Sequence, residues 1–271
     1  MQVFLIAIIL GLIEGITEFI PISSTGHLLI AEHFLRIDGA RVDTTFFHSE
    51  IFNAVIQVGA VLAALPLFRN RLATLARWRE PVARGYFLKM AVSFGITAVG
   101  ALVMKKLGLR LPHSVYPVMG ALAAGGILFL VVEGWIRGRI VDDEVTWTIA
   151  VVVGLAQLLA VAFPGTSRSG ATIILALALG MRRGAATEYS FLLGVPTLCA
   201  AGAKTTWDAL KAHETILWGP LAVSAVVAAI SSFLAVRWLL GYVRAHTFAG
   251  FGWYRIGLAV VLIILAQFGL D

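Results

Sequence analysis

The chain has 271 residues, 59% of them hydrophobic and only 13% charged, with a formal net charge of +6. A soluble domain carries about 25% charged residues, so this chain cannot cover a globular surface in water, and lipid is the solvent its composition fits. The basic excess is therefore read as loop charge that sets orientation across a bilayer, not as a nucleic-acid surface.

The expectation is an all-α polytopic membrane protein, one domain over 1–271, with about six spanning helices. A spanning helix needs roughly 17–25 mainly apolar residues, and several segments here are too short or too interrupted to cross alone. The first helix is predicted from Gln2 to Ile20, broken at Pro21, with a short helix following to Phe34. The apolar N-terminal stretch has no basic start and is expected to be retained, not cleaved as a leader. A polar loop is predicted from Asp38 to Glu50, then a span from Ile51 to Phe68. Arg69, Arg71, Arg77, Arg79 and Arg84 follow as the densest basic loop, which the positive-inside rule places in the cytoplasm. Spans are predicted at Phe87–Met104 and Val115–Glu133, followed by an acidic loop at Asp142, Asp143 and Glu144. An apolar helix from Trp147 to Phe163 is broken at Pro164–Gly170, and a short helix continues to Met181. Segments at Glu188–Ala203, Thr215–Leu240 and Tyr254–Leu270 complete the chain. Cys199 is the single cysteine, in an apolar run, and is expected to be packing.

The two halves, roughly 1–133 and 134–271, echo one another. Each has an apolar helix, then a Pro, a Ser three residues on, and a Gly: Pro21, Ser24, Gly26 and Pro164, Ser167, Gly170. Broken backbone at membrane depth is tolerated only where it is buried in protein or lines a wet cavity. Two such breaks in corresponding places point to a binding site at a repeat interface.

The polar residues gather at these breaks. Glu14 and Glu18 are four apart and are expected to share a helical face among apolar neighbours. A charge inside a bilayer costs about 2.5–3.5 kcal/mol, so the pair needs a cation from elsewhere: a divalent metal, an Arg, or both. Gly11 and Gly15, on the same helix, read as close helix packing. Ser23, Ser24 and Thr25 suit the start of the short helix, whose free N–H groups favour a phosphate. His27 adds a group able to move a proton near neutral pH. Ser167, Arg168 and Ser169 form the second cluster, and Arg168 is the only charge from Trp147 to Met181. Its guanidinium fork matches phosphate oxygens. Asn53 and Gln57, four apart in an apolar run, are candidates for lining the same cavity or for an interhelical hydrogen bond. Glu188 reads as a helix-start cap or a surface pair, and Trp253, Tyr254 and Arg255 read as interfacial anchors. His33, His48, His113, His213 and His246 show no ligand spacing.

Together these residues fit phosphoryl transfer. Glu14 and Glu18 would hold Mg²⁺ or Ca²⁺, and Arg168 would clamp the phosphate with Ser23, Thr25, Ser167 and Ser169 around it. Ser24 would attack or position the phosphate, with His27 as general base and acid.

At these residues the sequence resembles the bacterial undecaprenyl pyrophosphate phosphatases, the bacitracin-resistance family. EGITEFIPISSTGH (Glu14 to His27) and PGTSRSG (Pro164 to Gly170) look like its two signature motifs. The likeness extends to FNAVIQVGA (Phe52 to Ala60), EYSFLLGVP (Glu188 to Pro196) and WYRIGLA (Trp253 to Ala259). The resemblance implies hydrolysis of undecaprenyl pyrophosphate to the monophosphate, recycling the carrier lipid of peptidoglycan synthesis. It also implies inverted-topology repeats with two re-entrant helix pairs, a homodimer, metal dependence, and an inner-membrane site opening to the periplasm. The functional positions it implies are Glu14, Glu18, Ser24, Thr25, His27, Ser167 and Arg168, with the nucleophile open between Ser24 and His27. Two rivals stand beside it. A type-2 phosphatidic acid phosphatase needs a Lys with Arg-Pro seven residues on, which this chain lacks. A lipid-phosphate transporter or flippase would use the same broken helices.

Overall fold

A computed structural model describes residues 2–35, 44–109 and 114–268. Residues 38–43 of the polar loop expected from Asp38 to Glu50, together with Arg110 and His113, lie outside the described residues. The described elements are helices and their turns. In chain order they are α1 (Gln2–Thr17), α2 (Ser24–Leu35), α3 (Glu50–Ala64), α4 (Arg69–Ala76), α5 (Pro81–Leu107), α6 (Val115–Trp135), α7 (Trp147–Ala162), α8 (Arg168–Ala178), α9 (Arg183–Lys211), α10 (Trp218–Tyr242) and α11 (Ala249–Ala266).

Local chemistry sets the ends. Ser49 caps α3 by accepting the Phe52 N–H at 3.2 Å, and Thr146 caps α7 by accepting that of Ile149 at 3.2 Å. Pro81 opens α5, where a missing N–H costs nothing, and Gly108 closes it at φ 67°. Helix α1 ends at Thr17, earlier than the expected Ile20. Thr17 turns its hydroxyl back onto the Ile13 carbonyl at 2.7 Å, and Pro21, four residues on, has no N–H to continue the ladder. Glu18 follows directly, and its N–H still bonds the Glu14 carbonyl at 2.9 Å, so the two carboxylates stand one turn apart on one face as expected, with Glu18 at the edge of the break. Helix α9 runs well beyond the expected Glu188–Ala203 because its polar ends are helical too.

Five stretches are long and apolar enough to cross a membrane: Glu50–Ala76, Pro81–Leu107, Val115–Trp135, Trp218–Tyr242 and Ala249–Ala266. Their outer faces carry exposed large hydrophobics, among them Val99, Ile127, Val131, Ile230 and Leu234. In lipid such faces cost nothing, and contact between helices is left to close packing of small residues. Helix α1 packs on α10 through Gly11 and Gly15: a Cβ at Gly11 would lie 2.5 Å from the Ser224 carbonyl oxygen, and Gly15 abuts Ala228 and Ser231. The expected role of this glycine pair is the observed one. Helix α7 packs on α5 in the same way, with Gly154 against Ser93 at 2.8 Å for an added Cβ. One serine hydroxyl crosses each contact, Ser224 to the Ala7 carbonyl at 2.7 Å and Ser93 to the Ala150 carbonyl at 2.6 Å. Cys199 is half-buried and packs against the main apolar core.

Candidate active site

Each short helix, α2 and α8, is preceded by a serine in the left-handed region: Ser23 at φ 75° and Ser167 at φ 65°. A non-glycine residue rarely adopts this conformation, and such strain collects at functional sites. Each serine hydroxyl accepts the N–H three residues on, Gly26 at 3.4 Å and Gly170 at 3.1 Å. The backbone thus pairs Ser23 with Ser167 and Gly26 with Gly170. Letter matching pairs Ser24 with Ser167 and leaves the glycines one residue out of step. In the structural register Ser24 corresponds to Arg168, the first residue of each helix.

The two breaks meet through Glu18. Its Oε1 accepts from Arg168 Nη2 at 3.0 Å, and its Oε2 accepts from Ser24 Oγ at 3.2 Å. Ser169 Oγ donates to the Glu18 carbonyl at 3.3 Å and lies 3.2 Å from Ser167 Oγ. Arg168 Nη1 donates to the Ser190 carbonyl at 3.2 Å, and its guanidinium lies in the hollow left by Gly194. Its Nε is buried without a partner among the described residues. Glu18, Ser23, Ser24, Thr25, Ser167 and Arg168 line one cavity of about 260 Å³. Gln57 also lines it, as expected for a cavity residue. Asn53 does not, although its Oδ1 is buried and unpartnered among the described residues.

Glu14 lies behind this wall. It is 0% exposed, and neither carboxylate oxygen has a hydrogen-bond partner among the described residues. Its nearest charged neighbours are Glu18 and Arg168. Such an orphaned carboxylate, one turn before another, fits a hard divalent cation, which takes oxygen ligands. Among the described residues no three His, Cys, Asp or Glu side chains cluster, so phosphate oxygens would have to complete the shell.

His27 points elsewhere. Its Nδ1 donates to the Ser23 carbonyl at 2.7 Å. In the neutral ring Nε2 is then an acceptor, and it takes the Tyr254 hydroxyl at 2.7 Å with the two rings stacked at 5.6 Å. His27 is not among the side chains lining the cavity.

Three features go beyond the sequence reading. Arg255 is not an interfacial anchor. It is 0% exposed and donates to the carbonyls of Ala121 (3.0 Å), Gly165 (3.3 Å), Pro21 (3.4 Å) and Leu122 (3.5 Å). It therefore ties both breaks to α6, in a space left by Gly125. Of the expected anchor triplet, Trp253 and Tyr254 remain at the surface, 65% and 48% exposed. Gln157 also lines the cavity, donating to Thr97 Oγ1 at 2.7 Å with its Oε1 unpartnered among the described residues. A lone amide in an apolar run, the signal that marked Gln57, would have found it. Finally, Glu133 is buried, pairs with Arg183 at 2.9 Å and caps α11 by accepting the Phe248 N–H at 2.7 Å. Glu188, expected as a cap or surface pair, bonds Arg71.

Fold and site together define a multi-pass helical membrane protein with a polar, anion-suited cavity between two broken helices. The family model described as bacitracin resistance protein BacA matches residues 7–261, and the chain belongs to that family. Among curated relatives it is 47% identical to a protein of Rhizobium johnstonii over 97% of each chain. It is 45% identical to one of Xylella fastidiosa over 95% of this chain and 96% of the relative. A protein of Xanthomonas oryzae pv. oryzae is 45% identical over 95% of each. All three are named undecaprenyl-diphosphatase.

Proposed function

We propose that this chain hydrolyses undecaprenyl diphosphate to undecaprenyl phosphate and inorganic phosphate, recycling the carrier lipid of peptidoglycan synthesis. The observation that carries this is the continuous contact Arg168–Glu18–Ser24, which joins both breaks at the wall of one cavity. The names of its relatives agree, and nothing among them favours the lipid transporter.

In this reading Arg168 clamps the terminal phosphate and stabilises charge that develops on it. The hydroxyls of Ser23, Thr25 and Ser167, and the free N–H groups opening α2 and α8, hold the remaining oxygens. Ser24 is the better placed of the two candidate nucleophiles, because both His27 nitrogens are engaged away from the cavity. Ser24 Oγ attacks the terminal phosphorus and its proton passes to Glu18 Oε2. The bond to the bridging oxygen breaks, undecaprenyl phosphate leaves with the bonding pair, and water then releases phosphate from the serine. Tyr254 holds the His27 tautomer and so fixes the start of α2. Glu14 and Glu18 would hold Mg²⁺ or Ca²⁺, which when bound neutralises diphosphate charge.

The same reading includes an inverted repeat within one domain. Helix α1 starts beside Gly219, near the start of α10, and ends near Ser231, halfway along it. It therefore enters the bilayer only to the middle, and α2 returns. Helices α7 and α8 do likewise from the other face, where Asp142, ahead of α7, bonds Gly180 at the end of α8. With α9 as the sixth span, this gives six spans and two re-entrant pairs. The Arg69–Arg84 segment, facing the cytoplasm, shares its end with Glu188 and Glu144 through Arg71 and Lys89. The cavity is lined on α9 by Thr197 and Ala201, from its middle onward; in this reading it opens to the periplasm, in an inner-membrane homodimer.

Phosphate release from undecaprenyl diphosphate by purified protein tests the proposal. Activity lost in Arg168→Ala and Glu18→Gln supports it. Lipid movement in vesicles without phosphate release, persisting in both variants, would establish the transporter instead.

A further inference from the structure

A second cavity, about 480 Å³, lies on the other side of the Pro164–Ser167 break, between α6, α7 and α8. Its walls are almost wholly apolar: Ala124 and Leu128 of α6, Leu159 and Phe163 of α7, Ile174 and Leu175 of α8. Leu128, Leu159 and Phe163 are also partly exposed on the lipid-facing surface, so the groove is open to the bilayer at its rim. Thr166 lines both this groove and the polar cavity. The two spaces therefore meet at one residue of the break. From Gly170 to Leu175 the groove follows α8 for about 7.5 Å at 1.5 Å per residue.

A lipid diphosphate has its charged head and its apolar tail joined by one ester oxygen. A head held at Arg168 must pass its tail out of the polar cavity within a few bonds, and burying that tail in water-lined space would forgo its transfer free energy. We propose that the groove between α6 and α8 binds the first isoprene units of the polyprenyl tail, with Thr166 at the junction of head and tail. This rests on the hydrolase reading above. The one charged side chain in the groove, Arg255, has its N–H groups turned to the four backbone carbonyls it already serves. The groove floor is built from small residues of α6, and a Cβ at Gly120 meets nothing within 4 Å. Gly120 is exposed at the groove wall, so a larger side chain can be introduced there without its Cβ meeting any neighbour.

The test compares undecaprenyl diphosphate with isopentenyl diphosphate, whose single isoprene unit does not extend along α8. In Gly120→Phe, kcat/KM for the long substrate is expected to fall at least about tenfold, from lost tail burial, while that for the short one holds. Equal values for both substrates before and after substitution, or an equal fall in both, overturns the tail site. A wild-type protein inactive on both substrates instead overturns the hydrolase reading. Photo-crosslinking from a benzophenone side chain at position 120 gives an independent readout. An adduct displaced by undecaprenyl phosphate is expected. Decoration by bilayer phospholipid that undecaprenyl phosphate does not displace, or a crosslink to a second copy of the chain, overturns the proposal.

Discussion

Helices α1 and α7 are packed alike and equipped differently. Gly11 meets Ser224 on α10 as Gly154 meets Ser93 on α5, and three residues on stand Glu14 and Gln157, both buried with unpartnered oxygens among the described residues. The breaks that follow share their backbone, with Ser23 and Ser167 at positive φ, yet the next residue is Ser24 in one and Arg168 in the other. The scaffold is duplicated and the chemistry is divided. One half supplies carboxylates and a hydroxyl; the other supplies the cation that makes burying them affordable. A carboxylate alone at this depth would face the full insertion penalty, and for Glu18 the pairing with Arg168 from the opposite break offsets part of it.

The division can be broken from the cationic side first. Arg168→Lys keeps the charge but loses the fork that reaches Glu18 and the Ser190 carbonyl together. Phosphate release is expected to fall about 10²–10³-fold, the effect of removing one preorganised donor. On the acidic side, Glu14→Gln copies the second half into the first. Wild-type thermal stability in detergent is expected to rise with Mg²⁺ or Ca²⁺ and fall back with chelator, by about 5–10 °C for about 2.7 kcal/mol of linkage at a hundredfold excess over Kd. The variant is expected to show no such shift. A shift retained in full would remove Glu14 from the metal site.

Smaller changes test whether the scaffolds are equivalent. Gly11→Ala and Gly154→Ala each force a methyl into facing backbone. Both are expected to cost about 1–3 kcal/mol in chemical unfolding, similar in the two halves. Ser23→Gly and Ser167→Gly keep the left-handed backbone and are expected to lose only a few tenths of a kcal/mol, whereas Ser→Ala at either site is expected to lose about 1 kcal/mol through the missing cap. Opposite ranking at one break would show that the two are not built alike.

Much of the site was legible because charge is conspicuous in apolar sequence. Glu14, Glu18 and Arg168 stood out on that ground, and Gln57 on the same ground one step weaker. Prolines marked both breaks. The rest depended on contacts distant in the chain. Arg255 follows Trp253 and Tyr254, as an interfacial residue would; only Gly125, on a helix more than a hundred positions earlier, makes the space that buries it. The four-residue spacing did place Glu18 one turn beyond Glu14, but not its reach across the break to Arg168, 150 residues on. His27 sits among hydroxyls in sequence, but α2 turns it toward Tyr254 of α11. The register between the breaks followed from the cap hydrogen bonds of Ser23 and Ser167, not from the prolines.

The central claim is that Glu18 of one break and Arg168 of the other act as a single unit on the phosphate. A double-mutant cycle on kcat/KM for undecaprenyl diphosphate, with Glu18→Gln, Arg168→Ala and the pair together, tests it directly. The account predicts strong non-additivity, the double variant being little worse than the poorer single one. Losses that simply multiply would contradict it.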